Sequence, residues 1–538
     1  MISRYSPRAR VLSAWRRRRE SGDPWEGYLS AVEPVLTAAP RVHRFAQVPA
    51  LGDAATPAAP LAVWVEAGDE QARACTHAAL AAGTVAPAAV LDGSLTDALA
   101  QTRAPLVVLL RAGDEPDALA LARLGQAATL APDATLITCD DDLLASDGAR
   151  GTPRFRPGPS PDRWLAVDDS GPLLVIDRDR AAGLLPELGG GPAWRHELAL
   201  ALAGPGGEDH AHVPMLLCHR AAGVADPPAL DPGAAARVLA RWEPGARLEQ
   251  AGAVRRARRP PDGEPSVEVI VCFRDRPELL ARCVVSLLAR TDYQRLTLAL
   301  VDNGSASPET AALLHGLARQ RRVRLLRDER PFNFAALNNL AAASSEADLL
   351  VFLNNDTEIV DPGWTQTLLE EALRPEVGAV APLLLYPDGA VQHAGAALGL
   401  HGYAGHPFAG LRPDTETPFG YAEGGTRNWL AVTAACMMVE RAKFAAVGGF
   451  SESFVVAGND VDLSLRLTAA GHRSLCVPHA ILYHDESRSR GTHIDPGDFV
   501  ASQRSYGEFR TVGDPFYNPN LTLLRTDCAV RAPGEAGL

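Results

Sequence analysis

The chain has 538 residues, too many for one hydrophobic core, so two or three domains are expected. Apolar residues make up 46% and charged residues 22%, the balance of a soluble globular protein. A formal net charge of −13 argues against a nucleic-acid binder, and no run of roughly 18 apolar residues is present to form a transmembrane helix. The eight cysteines are scattered and none forms a C-x-x-C pair, so neither a zinc site nor a disulfide scaffold is expected. A reducing, cytoplasmic setting fits, and the charged N-terminus lacks the apolar stretch of a signal peptide.

Residues 1–55 read as a basic arm. Val11, Leu12 and Trp15 fall at helical spacing beside Arg16 to Arg19. Such a helix can lie on an anionic membrane surface, giving a peripheral contact at its inner face; a solvated or docking helix has the same pattern. Residues 56–225 read as a first α/β domain. Its candidate strands are Leu61 to Val65, Pro105 to Leu110 and Leu136 to Cys139, the last running into Asp140, Asp141 and Asp142. The second of these ends at Arg111, where a metal–phosphate site would want a carboxylate. This domain is therefore expected to be inactive, and Asp114→Ala or Asp141→Ala to be silent.

Residues 226–264 carry Pro, Gly and Arg clusters and read as a linker, interrupted by a helix near Gly233 to Trp242, with Arg255 to Arg259 as a solvated face. Residues 265–500 read as a second α/β domain and 501–538 as a C-terminal tail. In the second domain Val267 to Phe273 is a strand, and Pro277 opens a helix. Leu296 to Val301, Val323 to Leu326 and Leu349 to Leu353 are further strands with helices between them, the pattern of an open doubly wound sheet.

Three polar clusters follow these strands: Arg274-Asp275-Arg276, Asp302-Asn303-Gly304-Ser305 and Asn354-Asn355-Asp356. The ligand crevice of such a sheet lies outside its carboxyl ends, so the clusters are predicted to line one cleft. At Asp356 an Asx turn and a metal site both suit the residues. Further on, Asn459-Asp460-Val461-Asp462 opens an apolar-periodic helix, and His484 follows a short strand near Ala480 to Tyr483. No G-x-G-x-x-G, Walker A or G-x-S-x-G pattern occupies the places where a dehydrogenase, P-loop enzyme or α/β-hydrolase would need it.

From Ser266 to Gly491 the sequence resembles the family 2 glycosyltransferases. The resemblance rests on Val-Asp-Asn-Gly-Ser, Phe-Leu-Asn-Asn-Asp-Thr, Val-Gly-Gly-Phe, Asn-Asp-Val-Asp-Leu-Ser-Leu-Arg and Leu-Tyr-His. The blocks Phe332-Asn333-Phe334, Val391-Gln392-His393-Ala394-Gly395 and Asp514 to Leu521 are similar to the bacterial surface-polysaccharide branch, whose members are often called rhamnosyl- or O-antigen transferases. It implies a GT-A type doubly wound mixed sheet, preceded by a degenerate GT-A-like α/β domain, which Asp140 to Asp179 weakly resembles. The resemblance also implies an inverting transferase that uses a nucleotide-sugar donor, a glycan or lipid-linked acceptor and a divalent Mn²⁺ or Mg²⁺ ion. Residue by residue, it makes Asp460 the general base. It makes Asp356 and His484, with Asn354, the metal site. It places Asp275, Asp302, Asn303, Asn333, Asn339, Asn355 and Arg490 at the donor. Asn354 and Asn459 depart from the family pattern, each replacing an acid. Those departures keep a rival open, a non-catalytic nucleotide-sugar or carbohydrate-binding scaffold. Trp429 and Tyr421 suit either a sugar platform or a plug in the core.

Overall fold

The computed structural model describes residues 58–145, 148–221, 232–252, 254–486, 495–532 and 535. The expected arm over 1–55 and Arg490 lie outside the described residues. Two mixed sheets organise the rest. The first runs in the order Ala89–Leu91, Leu61–Val65, Leu106–Leu110, Leu174–Asp177, Leu136–Leu144, His210–Ala221, Glu115–Pro116. The second runs Val323–Arg327, Leu296–Asp302, Val267–Phe273, Leu349–Asn354, Cys436–Glu440, Val377–Leu385, Arg473–His484, Thr357–Ile359.

Apart from the extra edge strand Val323–Arg327, and Val391–His393 and Arg427–Trp429, which pair off this path with Val377–Leu385 and Arg473–His484, the two orders match strand for strand. So do the directions: the pairings read parallel, parallel, antiparallel, antiparallel, parallel, antiparallel in both. The fold is thus a GT-A type sheet preceded by a second copy of the same arrangement. No short sequence period announces this repeat, because the unit that recurs is a whole sheet.

The second sheet is buried on both faces. Val267, Val269, Val271, Leu349, Val351 and Leu353 pack on one side with Leu280, Val284 and Leu287 of the helix Pro277–Arg290. Ile270, Leu350 and Phe352 point to the opposite layer. That alternation on strands apolar at every position is the signature of a parallel sheet covered by helices. Leu349–Asn354 is flanked by Val267–Phe273 and Cys436–Glu440, so it sits mid-sheet. Thr357–Ile359 then leaves to pair with the far strand Arg473–His484. Asn355 and Asp356 span the gap, which holds them at the sheet's carboxyl end.

The units are joined by buried charge. Asp162, in the helix Pro161–Ala166, receives Arg374 at 2.7 Å, Arg473 at 2.9 Å and Arg259 at 3.3 Å. Burial opposes its ionisation, but Arg374, Arg473 and Arg259 overcome that and hold the carboxyl well below its usual range. Beside it Asn428 donates to the carbonyl of Pro159, and its backbone N–H donates to Ser160 Oγ.

Two boundaries differ from the sequence reading. The linker arginines are not a solvated face. After the expected helix, observed as Pro232–Trp242, the chain forms a hairpin of Arg247–Ala251 and Val254–Arg258. Arg258 binds Glu370, and the buried Arg259 binds Glu371 and Glu243. The expected boundary at residue 500 falls inside the helix Pro496–Tyr506, and the residues after that helix form a strap, not a loose tail. Asn518 donates to Asp140 and Asn520 to the Pro214 carbonyl, both in the first unit, while Asp514 accepts from Leu398 N–H in the second.

Removing one partner of a buried ion network leaves the others desolvated and unpaired. Asp162→Ala is therefore expected to cost about 3–5 kcal/mol. Chemical denaturation should show the loss as a lowered midpoint; an unchanged midpoint would mean the three arginines find other partners.

Candidate functional site

A cavity of about 730 Å³ opens at the carboxyl end of the second sheet. Asn354, Asn355, Asp356, Asp460 and His484 line it. Phe332, Phe334, Tyr403 and Phe499 add aromatic surface. The three clusters predicted to share a cleft are thus only partly gathered: Arg274 lines it, whereas Asp275 and Asp302 do not.

The sheet register explains where Asp356 and His484 meet. Thr357 pairs with His484, so the residue before Thr357 faces the imidazole. His484 Nε2 lies 3.3 Å from Asp356 Oδ1 and 3.3 Å from Asn354 Nδ2. Asp356 and His484 are each 4% exposed, and Asp356 Oδ1 is buried with no hydrogen-bond partner. An orphaned carboxylate oxygen aimed at an imidazole nitrogen is a donor pair that a cation would satisfy. Among the described residues no group of three or more His, Cys, Asp or Glu side chains is gathered. The protein thus offers one carboxylate, one imidazole and one amide, and a ligand would supply the remaining positions.

Asp460 is the second residue of the helix Asn459–Ala469. Its Oδ2 accepts from Ala434 N–H at 3.1 Å and its Oδ1 from Val461 N–H at 2.9 Å. Asp462, two positions on, points away from the cavity: Arg466 and the Ser505 hydroxyl take its two oxygens. The loop before this helix is tied down from afar. Buried Asp498 accepts three backbone N–H bonds, from Val455, Val456 and Ala457. No linear pattern connects those positions, so the sequence gives no signal for that role.

The remaining donor expectations divide. Asn355 lines the cavity and is buried. The Asp275 carboxylate accepts from Ala306 and Ser307 N–H, and Asp302 from Ser305 N–H and Arg327. Asn303 donates to the carbonyls of Asp328 and Arg330. Asn333 caps the helix Phe334–Ala343, and Asn339 clamps both backbone groups of Phe450. Asp275, Asp302, Asn303, Asn333 and Asn339 thus shape loops outside the cavity and do not line it. Trp429 is 1% exposed and packs against Arg427 and Phe419, a plug in the core. A Cβ at Gly395, whose φ is +117°, would fall 2.1 Å from that ring, which is why a glycine closes the Gln392 to Gly395 block. His393 is buried against His406, and burial, then His406, pushes it well below its ordinary value; it stays neutral.

The first unit carries the same scaffold without the site. Glu115 pairs with His219 as Thr357 pairs with His484, so Asp114 and His219 occupy the places of Asp356 and His484. There Arg111 Nε donates to Asp114 at 3.2 Å, a guanidinium in the place of a cation. Asp142 and Asp117 hold the two nitrogens of His219. Asp140, Asp141 and Asp142 are fully buried inside the strand Leu136–Leu144, not at its end. Asp141 pairs with Arg156 at 3.0 Å and Arg220 at 3.1 Å. It is not a silent position: Asp141→Ala should cost about 3–5 kcal/mol by stranding buried guanidinium groups.

Residues 268–420 match the family model described as glycosyl transferase family 2. An O-antigen biosynthesis protein of Myxococcus xanthus is 49% identical over 285 residues, which are 52% of this chain and 22% of that protein. An N-acetylglucosaminyl-diphospho-decaprenol L-rhamnosyltransferase of Mycobacterium tuberculosis is 30% identical over 263 residues, covering 44% of this chain and 80% of that enzyme. A solved mannosyltransferase from Pyrobaculum calidifontis, in complex with GDP-Man and Mn²⁺, is 15% identical with a TM-score of 0.33, over 46% of this chain and 70% of that one. The chain spans less than a third of the length of the first two curated relatives it matches.

The two acids at the helix start predict different phenotypes in a melting experiment. Asp462→Asn should lower the melting temperature, because Arg466 and Ser505 lose a charged acceptor; Asp460→Asn should leave it within a degree or two, on the order expected of a partly exposed site. A reversed order would contradict these hydrogen bonds.

Proposed function

The chain belongs to glycosyl transferase family 2, and from that premise we propose that it is an inverting glycosyltransferase of surface-polysaccharide synthesis. It takes a sugar from a nucleotide-sugar donor to a glycan or lipid-linked acceptor. The observation that carries this reading is the convergence of Asp460 and the Asp356–His484 pair on one cavity. Single displacement needs a base on one side of the anomeric carbon and charge stabilisation on the other. Both groups line that one cavity.

Asp460 accepts the proton of the attacking hydroxyl. Its two backbone hydrogen bonds fix the carboxylate. Attack from the side opposite the leaving diphosphate inverts the anomeric configuration. Asp356, His484 and Asn354 suit a divalent cation: the donors are oxygen and imidazole nitrogen, a set open to Mn²⁺ and Mg²⁺. What such a cation supplies when bound is positive charge opposite the departing diphosphate. Asn354 contributes no charge, so the protein's own share of neutralisation rests on Asp356. Asn355 lies against the donor, and Arg490 stands in the chain just beyond His484.

No helix among the described residues is long and apolar enough to cross a membrane. A lipid-linked acceptor would then have to be met at the membrane surface, and a cytoplasmic location matches the supply of nucleotide sugars.

Asp460→Asn should keep donor binding and lower turnover by roughly 100-fold or more, the scale of general-base catalysis. Steady-state rates at saturating donor and acceptor decide it. Turnover equal to the parent would remove Asp460 from the reaction. Asp356→Ala should abolish metal-dependent binding of the nucleoside diphosphate in calorimetry, while Asp460→Asn binds it as the parent does.

A further inference from the structure

The hydrogen bonds behind His484 form a chain with a fixed direction. His484 Nδ1 lies 3.1 Å from Gln392 Oε1. Gln392 Nε2 donates to Glu486 Oε2 at 3.2 Å. The Tyr386 hydroxyl donates to the same oxygen at 2.8 Å. Burial, then the Glu486 carboxylate, raises the Tyr386 phenol above its ordinary value, so it remains a donor.

With a neutral imidazole, the chemistry of each group leaves one arrangement. An ionised carboxylate only accepts, so the amide of Gln392 must turn its nitrogen to Glu486. Its oxygen then faces the imidazole and can only accept. The neutral ring must therefore carry its proton on Nδ1, leaving a lone pair on Nε2. Nε2 then lies 3.3 Å from both the Asn354 amide nitrogen and Asp356 Oδ1, the latter an atom with no hydrogen-bond partner. Nε2 and the Asp356 oxygen are then both acceptors; the Asn354 amide nitrogen offers Nε2 a donor, while Asp356 Oδ1 has none. The opposite tautomer would place an N–H there and close the gap as an ordinary hydrogen bond.

We propose that Gln392, oriented by Glu486 and Tyr386, is a positioning residue that sets the tautomer of His484 and so prepares Nε2 as a metal ligand. It touches neither donor nor acceptor in this role. The chain is built from separate elements: Tyr386 follows the strand Val377–Leu385, Gln392 lies on Val391–His393, and His484 ends Arg473–His484. Gln392 is 2% exposed, so water cannot readily replace its amide. The inference rests on the metal site of the proposed function and adds the device that makes His484 a ligand.

The test reads the tautomer directly, with no metal and no turnover. The full chain is labelled with ¹⁵N-histidine, and two-bond ¹⁵N–¹H correlations report which nitrogen is protonated. The His484 signals are assigned by their loss in His484→Gln. Mn²⁺ binding is followed separately by electron paramagnetic resonance of the free ion. The parent is expected to show the Nδ1-protonated ring. Gln392→Leu and Glu486→Ala should shift it toward the Nε2-protonated form and weaken Mn²⁺ binding by about 10- to 100-fold, the usual effect of losing such a partner. Glu486 is exposed, so that variant keeps the test open where the buried Leu substitution fails to fold. A parent ring protonated on Nε2, with Mn²⁺ still bound, overturns this proposal and leaves the metal reading standing. Variants that bind Mn²⁺ as the parent does overturn it as well. An Nδ1-protonated ring in a chain that takes up no Mn²⁺ overturns the metal reading, and the proposal falls with it.

Discussion

A single carboxylate, Asp162, is the constraint on which the arrangement of the molecule depends. It gathers one arginine from the linker, Arg259, one from the turn after a helix, Arg374, and one from the first residue of a sheet strand, Arg473. Glu371, Glu243 and Glu376 balance the remaining charge. A hydrophobic contact of similar area would tolerate sliding; a buried network of this kind does not, because every displaced guanidinium loses a charged acceptor in a low-dielectric setting. The orientation of the first unit is thereby coupled to the strand that carries His484 at its other end.

The two sheets share one strand order, and the larger cavity lies at the second. The difference lies in a few side chains at the ends of equivalent strands. In the second unit the acid and the imidazole face each other with no partner between them. In the first, Arg111 neutralises Asp114 internally, and His219 is spent on Asp142 and Asp117. The second copy contributes shape and attachment: Ser160, Asp162 and Arg163 reach the other unit through Asn428, Arg473 and Gly424.

Much of this was legible in the chain. Strands that are apolar at every position, such as Leu349 to Leu353, are read from sequence because burial on both faces leaves no alternation to hide. Helix starts at Pro277 and Asn333 carry local signals in proline and in the cap. Asp356, Asp460 and His484 stood out because motif density around them was high. What the sequence did not disclose depends on pairing over distance. Gln392 becomes informative only when the register of two strands sets it beside His484. Asp498 looks like any acid in a first helical turn until its carboxylate is seen to hold a loop some forty residues earlier. The linker arginines look solvated because their acceptors, Glu370 and Glu371, are more than a hundred residues away. Asn333 and Asn339 carry the converse lesson: an amide in a dense motif also serves the backbone, here as a helix cap and as a clamp on Phe450.

The strap after the second unit carries one more consequence, and it concerns time. Asn518 donates to Asp140 across 378 positions of the chain. At roughly 5–20 residues per second of synthesis, the wait between the two is on the order of 20–75 s. During that interval the first unit has left the ribosome with the Asn518 and Asn520 contacts still unmade. Its face toward the strap is exposed to other chains, and to the same face of a neighbouring nascent copy. The Asn518 and Asn520 contacts are therefore late to form, although the residues they hold are made first.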